Sequence, residues 1–323
     1  MTVPARPTRT LFRDLDGPRL CPGGSVVCIG AFDGLHRGHQ ALVKRTVDRA
    51  RVLGVPAVAV SFEPLPREYF AAGAKPPRLT LARAKLEGLR ALGIDLVGLL
   101  RFNSALASMS AADFVREVLV DRLGAREVWV GPGFRFGKDR SGDLALLREL
   151  GAVHGFTAGE VEPVMDAGER VSSTRIRAAL AAGDFECAER LLGRPYAIDG
   201  RVVHGRQLGR ALGYPTANLR HPRRTPALSG IFAGRVHGVG AKAWPSVVSF
   251  GTRPTVDGGE PLLEAHLFDF RGDLYGQRIA VEFVTRLRDE EKFDGLPALV
   301  AQMHRDAAAA RAALKPPPTQ AIA

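Results

Sequence analysis

The stretch Val26–His39, VVCIGAFDGLHRGH, places a short apolar run directly before a glycine-rich turn and two histidines. We predict that Val26–Ile29 is a buried strand, because it is a short apolar run that ends at a glycine. Glycines let the backbone approach a ligand closely, and the helix that we expect from Gln40 supplies free N–H groups at its start. The stretch therefore predicts a phosphate-binding turn between a strand and a helix.

The alternation of apolar runs and helical patterns continues to about Leu192. The predicted strands are Val26–Ile29, Ala57–Phe62, Leu96–Leu100 and Val128–Val130, and the predicted helices are Gln40–Leu53, Leu81–Leu92 and Ala111–Leu123. Strand, helix and strand in this order predict a parallel sheet with helices on its faces. Ligands of such sheets bind at the carboxyl ends of the strands, which is where the turn after Ile29 lies.

A different pattern follows Leu192. Gly193 comes just past a helical stretch and Pro195 follows it, a combination that ends helices, so we predict domains at 1–192 and 193–323. The second domain contains short strand-like runs, separated by Gly, Pro and Asp, and a final helix, at Arg201–His204, Gly230–Val236, Ser246–Phe250, Leu262–Phe270, Ile279–Val284 and Leu296–Leu314. That spacing predicts an antiparallel barrel or sandwich.

Composition limits the class of protein. The 323 residues carry a formal net charge of +11 at pH 7, which suits nucleic acid or anionic nucleotides as partners. No apolar stretch approaches the length of a membrane span, and the N-terminus lacks the apolar segment of a signal peptide. The three cysteines show no metal-ligand spacing. We therefore expect a cytoplasmic protein with reduced cysteines and no membrane partner.

His36 and His39 are candidate functional residues in the turn. They are three positions apart, so they share one face if the first helical turn includes them. Two imidazoles at a phosphate site can stabilise charge that develops on phosphoryl oxygens. The alternative interpretation is a chance pair or a metal pair.

Thr216, Asn218 and Glu264 are candidates in the second half. Thr216 and Asn218 lie on the same face if the chain is extended, and their neutral oxygens can join phosphates in binding Mg²⁺. Glu264 points away from the apolar side of its predicted strand, and it could act as a base if it reaches a substrate hydroxyl. The alternative interpretation is that all three are solvated side chains on an exposed face.

Two strings in the first half resemble known motifs. GAFDGLHRGH (30–39) contains the HxGH signature of the nucleotidyltransferase superfamily, and RVSSTRIR (170–177) resembles the SSTxIR motif of FMN adenylyltransferases. Segments 61–67 and 134–143 also resemble that family. The resemblance implies that FMN attacks the α-phosphorus of ATP, with His36 and His39 as catalytic stabilisers. It implies that ATP is bound by Gly30, Phe32, Asp33, His36, His39, Arg170, Ser173, Thr174 and Arg177, and the flavin by Phe62, Pro64 and Phe134.

Strings in the second half resemble riboflavin kinases. They are GRVVHGRQLGRALGYPTANL (200–219), SFGTRPTV (249–256), LLEAHLFDF (262–270), DLYG (273–276) and LRDEEKFDG (287–295). The resemblance implies that Thr216 and Asn218 bind the Mg²⁺ of MgATP and that Glu264 takes the proton from the ribityl hydroxyl. The residues that it implies for ATP or flavin binding are Gly205, Gly209, Arg210, Gly213, Pro215, Thr216, Asn218 and Arg288.

Together these strings resemble the bifunctional prokaryotic riboflavin kinase/FMN adenylyltransferase (FAD synthetase) family over nearly the whole chain. The resemblance implies a Rossmann-like nucleotidyltransferase domain and a Greek-key-type antiparallel barrel with a terminal helix. It also implies riboflavin, FMN, FAD and ATP as ligands, no nucleic-acid partner, and leaves a homo-oligomer open.

The sequence is also compatible with two other functions. The chain departs from the family at Leu65, where a histidine is common, at Gly133, where asparagine or aspartate is common, and at Phe232, where a tyrosine is common. The first two departures allow a protein in which only the kinase works. The basic composition allows a nucleic-acid-binding protein.

Overall fold

The apolar run before the glycine-rich turn forms a strand inside a six-stranded parallel sheet, in a computed structural model that describes residues 10–205, 209, 212–220, 226–252 and 261–315. The strands of this sheet are β1 (Leu11–Phe12), β2 (Ser25–Ile29), β3 (Ala57–Glu63), β4 (Leu96–Arg101), β5 (Ala125–Val130) and β6 (Thr157–Glu160). Their spatial order is β1-β4-β3-β2-β5-β6, and every neighbouring pair is parallel. The predicted parallel sheet is therefore confirmed.

Helices cover both faces of this sheet. They are α1 (Arg37–Leu53), α2 (Pro66–Tyr69), α3 (Ala82–Ala91), α4 (Ser104–Ser108), α5 (Ala111–Asp113, continued by a π-helix at Phe114–Arg122) and α6 (Leu144–His154). Val26 and Cys28 of β2 pack in a core with α1 and α3, whereas Val27 and Ile29 pack in a second core with the α5 segment and α6. Alternate residues of one strand thus enter opposite cores, as in sheets that are buried on both sides.

Two short elements precede the end of this part of the chain. A hairpin is formed by β7 (Met165–Asp166) and β8 (Glu169–Arg170), and helix α7 (Ser173–Ala182) follows it. The chain divides into two compact units after Ser173. We call residues up to Ser173 the sheet unit and the residues from Thr174 the barrel unit.

The barrel unit contains a closed antiparallel barrel. Its elements are α8 (Phe185–Leu192), β9 (Ala197–Val203), β10 (Ala217–Arg220), β11 (Gly230–His237), β12 (Trp244–Thr252), β13 (Pro261–Leu267), β14 (Arg278–Arg288) and α9 (Leu296–Ala313). The strand order is β9-β10-β13-β12-β11-β14, and β14 pairs with β9 to close the barrel. Because β14 returns to lie beside β11, the four strands from β11 onward form a Greek key. The strand spacing predicted either a barrel or a sandwich, and the structure shows a barrel.

Aromatic rings fill the barrel. The ring of Phe283 lies 5.2 Å from that of Phe232 and 6.2 Å from that of Phe250, and all three side chains are buried. Phe185, on α8, places its ring 5.9 Å from Phe232. Phenylalanine at position 232 therefore serves as a core residue, and α8 packs against the barrel.

The bounds of some elements differ from the sequence predictions. The strand predicted at Leu262–Phe270 ends at Leu267, because Asp269 adopts φ of 60°, which an extended strand does not allow. Strand β10 was not predicted, since it is only four residues long and lacks a continuous apolar run.

The helix stop at Gly193 is confirmed, because Gly193 closes α8 in the left-handed region at φ of 74°. The domain boundary after residue 192 stays a prediction.

We expect a fragment that begins at Thr174 to be more stable than one that begins at Gly193. The shorter fragment lacks Phe185 and the other buried side chains of α8, and loss of one such aromatic side chain costs about 3–5 kcal/mol. Urea unfolding of the two purified fragments, followed by Trp244 fluorescence, measures the difference. Equal midpoints would instead support a boundary after residue 192.

Candidate active sites

The glycine-rich turn of the sheet unit lies where the strand order reverses. The chain runs from β2 through α1 to β3 on one side, and from β4 through α5 to β5 on the other side of β2. Ile29 and Val130 are register partners, so the turns that start at Gly30 and Gly131 lie side by side. Ligands of open parallel sheets bind at such a position.

The backbone of this turn is strained. Phe32 and Leu35 have φ of 49° and 46° although neither is a glycine, and such conformations persist only where the surroundings fix them. The Phe32 ring is fully buried, and a Cβ at position 30 would lie 3.2 Å from it. Gly30 therefore provides the room that the Phe32 ring occupies.

His36 and His39 stand together at the start of α1. His36 is the N-cap residue, its Nδ1 accepts the backbone N–H of His39 at 3.3 Å, and the two rings stack 3.7 Å apart. Helix α1 begins at Arg37, three residues earlier than predicted, so the first turn includes His39. The structure thus brings the two histidines onto one face, as their spacing predicts.

His39 is held in its neutral form. Burial lowers its pKa well below the usual value, and the nearby His36, Lys85 and Arg67 lower the pKa further. Its Nδ1 is enclosed and has no hydrogen-bond partner among the described residues. A neutral imidazole can donate one hydrogen bond and accept another.

Asp33, within the turn, has a fully buried side chain. Its Oδ1 accepts the backbone N–H groups of Leu79 and Thr80, both at 3.0 Å, and its Oδ2 accepts from Arg67. Burial raises the pKa of Asp33, and the Arg67 charge acts in the opposite direction. The Asp33 carbonyl accepts a hydrogen bond from Ser173 Oγ at 2.8 Å, so the carboxylate and the carbonyl join three separate segments of the sheet unit.

Further charged side chains, most of them buried, act on Asp33 or pair near it, and the sequence patterns do not predict them. Arg78 pairs with Glu63 at 2.8 Å and with Glu68. Lys85, on α3, is fully buried and donates from Nζ to Ser61 Oγ at 3.2 Å. These residues come from separate segments of the sequence, and only long-range packing makes them neighbours.

The remaining predicted ATP-binding residues of the sheet unit lie at its end. Arg170 Nη1 donates to the Pro132 carbonyl at 3.2 Å, which connects β8 to the turn after β5. Thr174 and Arg177 follow Ser173 on α7 and belong to the barrel unit. Their predicted contacts with ATP stay predictions.

Gly133 occupies a turn that is built for glycine. Its φ is 72°, and its N–H donates to Glu160 Oε2 at 3.3 Å. A Cβ at this position would meet nothing within 4 Å. The left-handed conformation agrees with the turn that Pro132-Gly133 predicts, and asparagine tolerates it better than most residues.

Aromatic side chains lie beyond β3 and β4, where the flavin is predicted. The ring of Phe62 is 5.8 Å from that of Phe102, which also contacts Tyr69 at 5.3 Å and Phe70 at 5.7 Å. Phe70 is 64% exposed, so part of this aromatic cluster faces solvent. Phe134 stacks on Phe136 at 5.4 Å instead. The sequence analysis missed Tyr69, Phe70 and Phe102, because isolated aromatic residues give no spacing signal.

The barrel unit holds a cavity of about 490 Å³ between its outer surface and α9. Leu263 and Ala265 are buried in the barrel, so Glu264, between them, points outward. Four predicted residues line the cavity, Gly209, Thr216, Glu264 and Arg288. Ser249, Glu290, Glu291 and Asp306 also line it, and none of these four is among the site residues that the sequence predicts by position.

Strand register aligns Asn218 with four residues that line this cavity. Asn218 is the partner of Glu264, Glu264 of Ser249, Ser249 of Ile231, and Ile231 of Arg288. Directly opposite residues have Cβ atoms about 4.5–5.5 Å apart. One row across five strands therefore carries the carboxylate, the amide and the guanidinium on one side of the barrel.

Asn218 has an acceptor that the described residues leave unused. Its side chain is buried, and its Nδ2 donates to the Thr216 carbonyl at 3.2 Å. Its Oδ1 is enclosed with no hydrogen-bond partner in the described part of the chain. Gly205 lies so close that a Cβ there would be 2.8 Å from the Asn218 amide. An enclosed oxygen without a donor costs about 1–3 kcal/mol, unless a cation or water binds it.

Arg288 is fixed by α9. Its Nε and Nη2 donate to the Asp306 carboxylate at 2.9 and 2.7 Å, and this bidentate pair fixes the guanidinium plane. Phe293 lies beneath the same guanidinium, 5.5 Å from it. The helix thereby positions a cation in the cavity wall.

Other predicted residues of the barrel unit stand near the cavity. The Pro215 carbonyl accepts from His266 Nδ1 at 2.8 Å. Gly213 adopts φ of 84°, so it provides the turn that leads to Tyr214. Arg210 lies outside the described residues.

The described residues also limit other kinds of site. No group of three or more His, Cys, Asp or Glu side chains that could hold a metal ion occurs within them. The described helices include none long and apolar enough to cross a membrane.

Two family models match the chain. The model described as FAD synthetase matches residues 19–175, and the model described as riboflavin kinase matches residues 192–314. Together the two matches contain every predicted site residue except Arg177, which lies between the two matched ranges.

Curated relatives match along most of the chain. A bifunctional riboflavin kinase/FMN adenylyltransferase of Pseudomonas fluorescens is 49% identical over 308 residues, covering 95% of this chain and 98% of the relative. One from Escherichia coli K12 is 43% identical and covers 89% of this chain and 92% of the relative. A solved structure from Streptococcus pneumoniae, described as a macrolide-efflux protein, is 31% identical with a TM-score of 0.76 and covers 93% of this chain and 98% of that one.

We expect Lys85 to make the sheet unit less stable below pH 8 than above pH 10.5. Burial lowers its pKa from 10.5 to about 8, so the unfolded chain binds more protons than the folded one between these values. The free energy of unfolding should then rise by about 3 kcal/mol across that interval. The difference between the wild type and Lys85→Met isolates this contribution from other groups.

Trp129 fluorescence reports on the sheet unit once the second tryptophan is removed by Trp244→Phe. Urea unfolding of both proteins in this background, at several pH values from 7.5 to 10.5, gives the difference. A difference that does not change with pH would show that Lys85 titrates normally in the folded protein.

Proposed function

The chain belongs to the bifunctional riboflavin kinase/FMN adenylyltransferase family, and we propose that the barrel unit phosphorylates riboflavin to FMN while the sheet unit adenylylates FMN to FAD. Both reactions use ATP, and the second releases pyrophosphate. The observation that carries the kinase assignment is the row that places Asn218 opposite Glu264, which lines a cavity of the barrel unit. The adenylyltransferase assignment rests on the stacked His36 and His39 at a helix start where the strand order reverses.

In adenylylation, a phosphate oxygen of FMN forms a bond to the α-phosphorus of ATP, and the bond from that phosphorus to the pyrophosphate oxygen breaks. The attacking phosphate is already anionic at neutral pH, so the reaction needs no general base. The protein has to align the two phosphates and stabilise the added negative charge. We assign the stabilising role to His36 and His39.

The hydrogen bonds at the start of α1 decide how these histidines can act. His36 Nδ1 accepts the His39 N–H, so a neutral His36 carries its proton on Nε2 and can donate there. His39 stays neutral because burial lowers its pKa. Both rings are therefore hydrogen-bond donors at pH 7 and need not exchange protons with the substrates.

Asp33 has an indirect role in ATP binding. Its carboxylate already accepts hydrogen bonds from Leu79, Thr80 and Arg67. We therefore assign it the role of fixing the backbone of the turn that binds ATP, without a direct contact between the carboxylate and ATP. Its carbonyl positions Ser173, whose hydroxyl lies at the start of α7. Backbone N–H groups at a helix start suit a triphosphate.

The kinase site fits Mg²⁺. The enclosed Oδ1 of Asn218 lacks a donor among the described residues, and Thr216 lies beside it, so both would offer oxygen ligands of the kind that Mg²⁺ prefers. When bound, the ion would neutralise charge on the ATP phosphates. Asn218 and Thr216 are the residues that we propose to hold it.

In phosphorylation, the ribityl hydroxyl oxygen forms a bond to the γ-phosphorus of ATP, and the bond to the leaving ADP oxygen breaks. A hydroxyl is a weak nucleophile unless its proton is removed as it attacks. Glu264 lines the cavity and takes that proton. Arg288, held by Asp306, lines the same cavity and stabilises bound anionic or flavin groups.

We propose that the protein acts in the cytoplasm without a membrane or nucleic-acid partner. The net charge of +11 then attracts anionic nucleotides and flavin phosphates. Incubation with riboflavin and MgATP, followed by chromatographic separation of the flavins, tests the whole proposal. FMN and then FAD should form, whereas FMN without FAD would favour the kinase-only alternative.

We expect Glu264→Gln to lower riboflavin phosphorylation by about 10²–10⁴, because it removes the proton acceptor while preserving size. FAD formation from added FMN should stay at the wild-type rate. The matched control is Glu186→Gln in the same unit, where the side chain is 88% exposed. Kinase activity of Glu264→Gln near that of the control would contradict the role of Glu264.

We expect His36→Ala and His39→Ala each to lower FAD formation from FMN by about 10²–10³, as loss of a transition-state hydrogen bond does. Riboflavin phosphorylation should not change, since its residues lie in the barrel unit. The control is His154→Ala, at the exposed end of α6. If both activities fall together, the substitution has damaged the fold and the assigned role is not supported.

A further inference from the structure

Lys85 is a buried cation that the reaction steps above do not use. It is fully buried, and its hydrogen bond in the described part of the chain goes to the neutral hydroxyl of Ser61. Burial lowers its pKa, the Arg78 charge lowers it further, and Glu63, Asp33 and Glu68 act in the opposite direction. Burying a charge without a partner of opposite charge raises the free energy of the folded state. An apolar residue at this position would therefore stabilise the packing more than lysine does.

The hydrogen bond of Lys85 connects directly to the turn of the adenylylation site. Ser61 Oγ accepts from Lys85 Nζ at 3.2 Å and donates to the Ala31 carbonyl at 3.1 Å. Ala31 is the residue before Phe32, where the strained part of the turn begins. A relay of two hydrogen bonds therefore joins α3 to the turn that precedes His36.

Helix α3 also contacts the other end of the same turn. A Cβ at Gly88 would lie 2.4 Å from Leu35 Cδ1, so the helix approaches Leu35 closely. Lys85 and Gly88 are three residues apart and share a face of α3. One helix face thus contacts the turn near Ala31 and at Leu35, the two sides of the backbone that adopts positive φ.

We infer that Lys85 is a positioning residue for the adenylylation of FMN, which acts through Ser61 to hold the Ala31–Leu35 turn and thereby His36 and His39. This inference rests on the proposed function of the sheet unit. The strained φ values of Phe32 and Leu35 need such external fixation, and small displacements of groups in a reacting site lower rates strongly. The positive charge of Lys85 also contributes to keeping His39 neutral.

The test compares Lys85→Met, Ser61→Ala and the double variant in steady-state FAD formation from FMN and ATP. We expect kcat to fall by about 10–100-fold in each single variant, with KM for ATP and FMN within about twofold of the wild type, because the substrates still bind. The double variant should lose no more than the more damaged single variant, since both substitutions break one relay. A defect of general packing would instead lower the amount of active enzyme or raise KM.

Lys44→Met is the matched control, because Lys44 is on α1 in the same unit with a side chain that is 77% exposed. It should have wild-type kinetics. Ser61→Ala removes a single hydroxyl, so it tests the relay even if Lys85→Met does not fold. Wild-type kcat in Ser61→Ala, additive losses in the double variant, or a change confined to KM would overturn the role of Lys85. A wild-type chain that forms no FAD at all would overturn the proposed function itself.

Discussion

The alternation of side chains along each strand is the constraint on which both units depend. In the sheet unit, both faces of β2 are covered, so Val26 and Cys28 enter one core while Val27 and Ile29 enter the other. Polar ligand-binding groups are then confined to the turns at the strand ends. In the barrel unit, one face of β13 fills the interior and the other carries Glu264 outward. The location of each site follows from which faces are buried.

Buried charged side chains connect separate segments of the sheet unit around the turn. Asp33 joins the Leu79–Thr80 segment, Arg67 and Ser173, and Lys85 joins α3 to the turn through Ser61. Hydrogen bonds to buried ionic groups are expensive to leave unmade. Burying this network costs desolvation free energy. In return, the network fixes the turn in which Phe32 and Leu35 are strained, beside the stacked histidines.

In the barrel unit, strand register instead positions the side chains of the candidate site. Five strands align Asn218, Glu264, Ser249, Ile231 and Arg288 in one row. The sheet ladder sets this alignment, so no buried charge network is needed to create it. Helix α9 then closes the cavity and fixes Arg288 through Asp306.

The sequence by itself determined the parallel sheet, the antiparallel second half, the histidine pair, and Thr216, Asn218 and Glu264 as candidates, because periodicity and local motifs are properties of neighbouring residues. Only the tertiary structure decided that Glu264 lies opposite Asn218 and Ser249, that Asp306 holds Arg288, and that Lys85 and Arg78 are buried. These contacts join residues far apart in the chain. Strand register and helix packing create them, and neither leaves a signal in the spacing of the residues concerned.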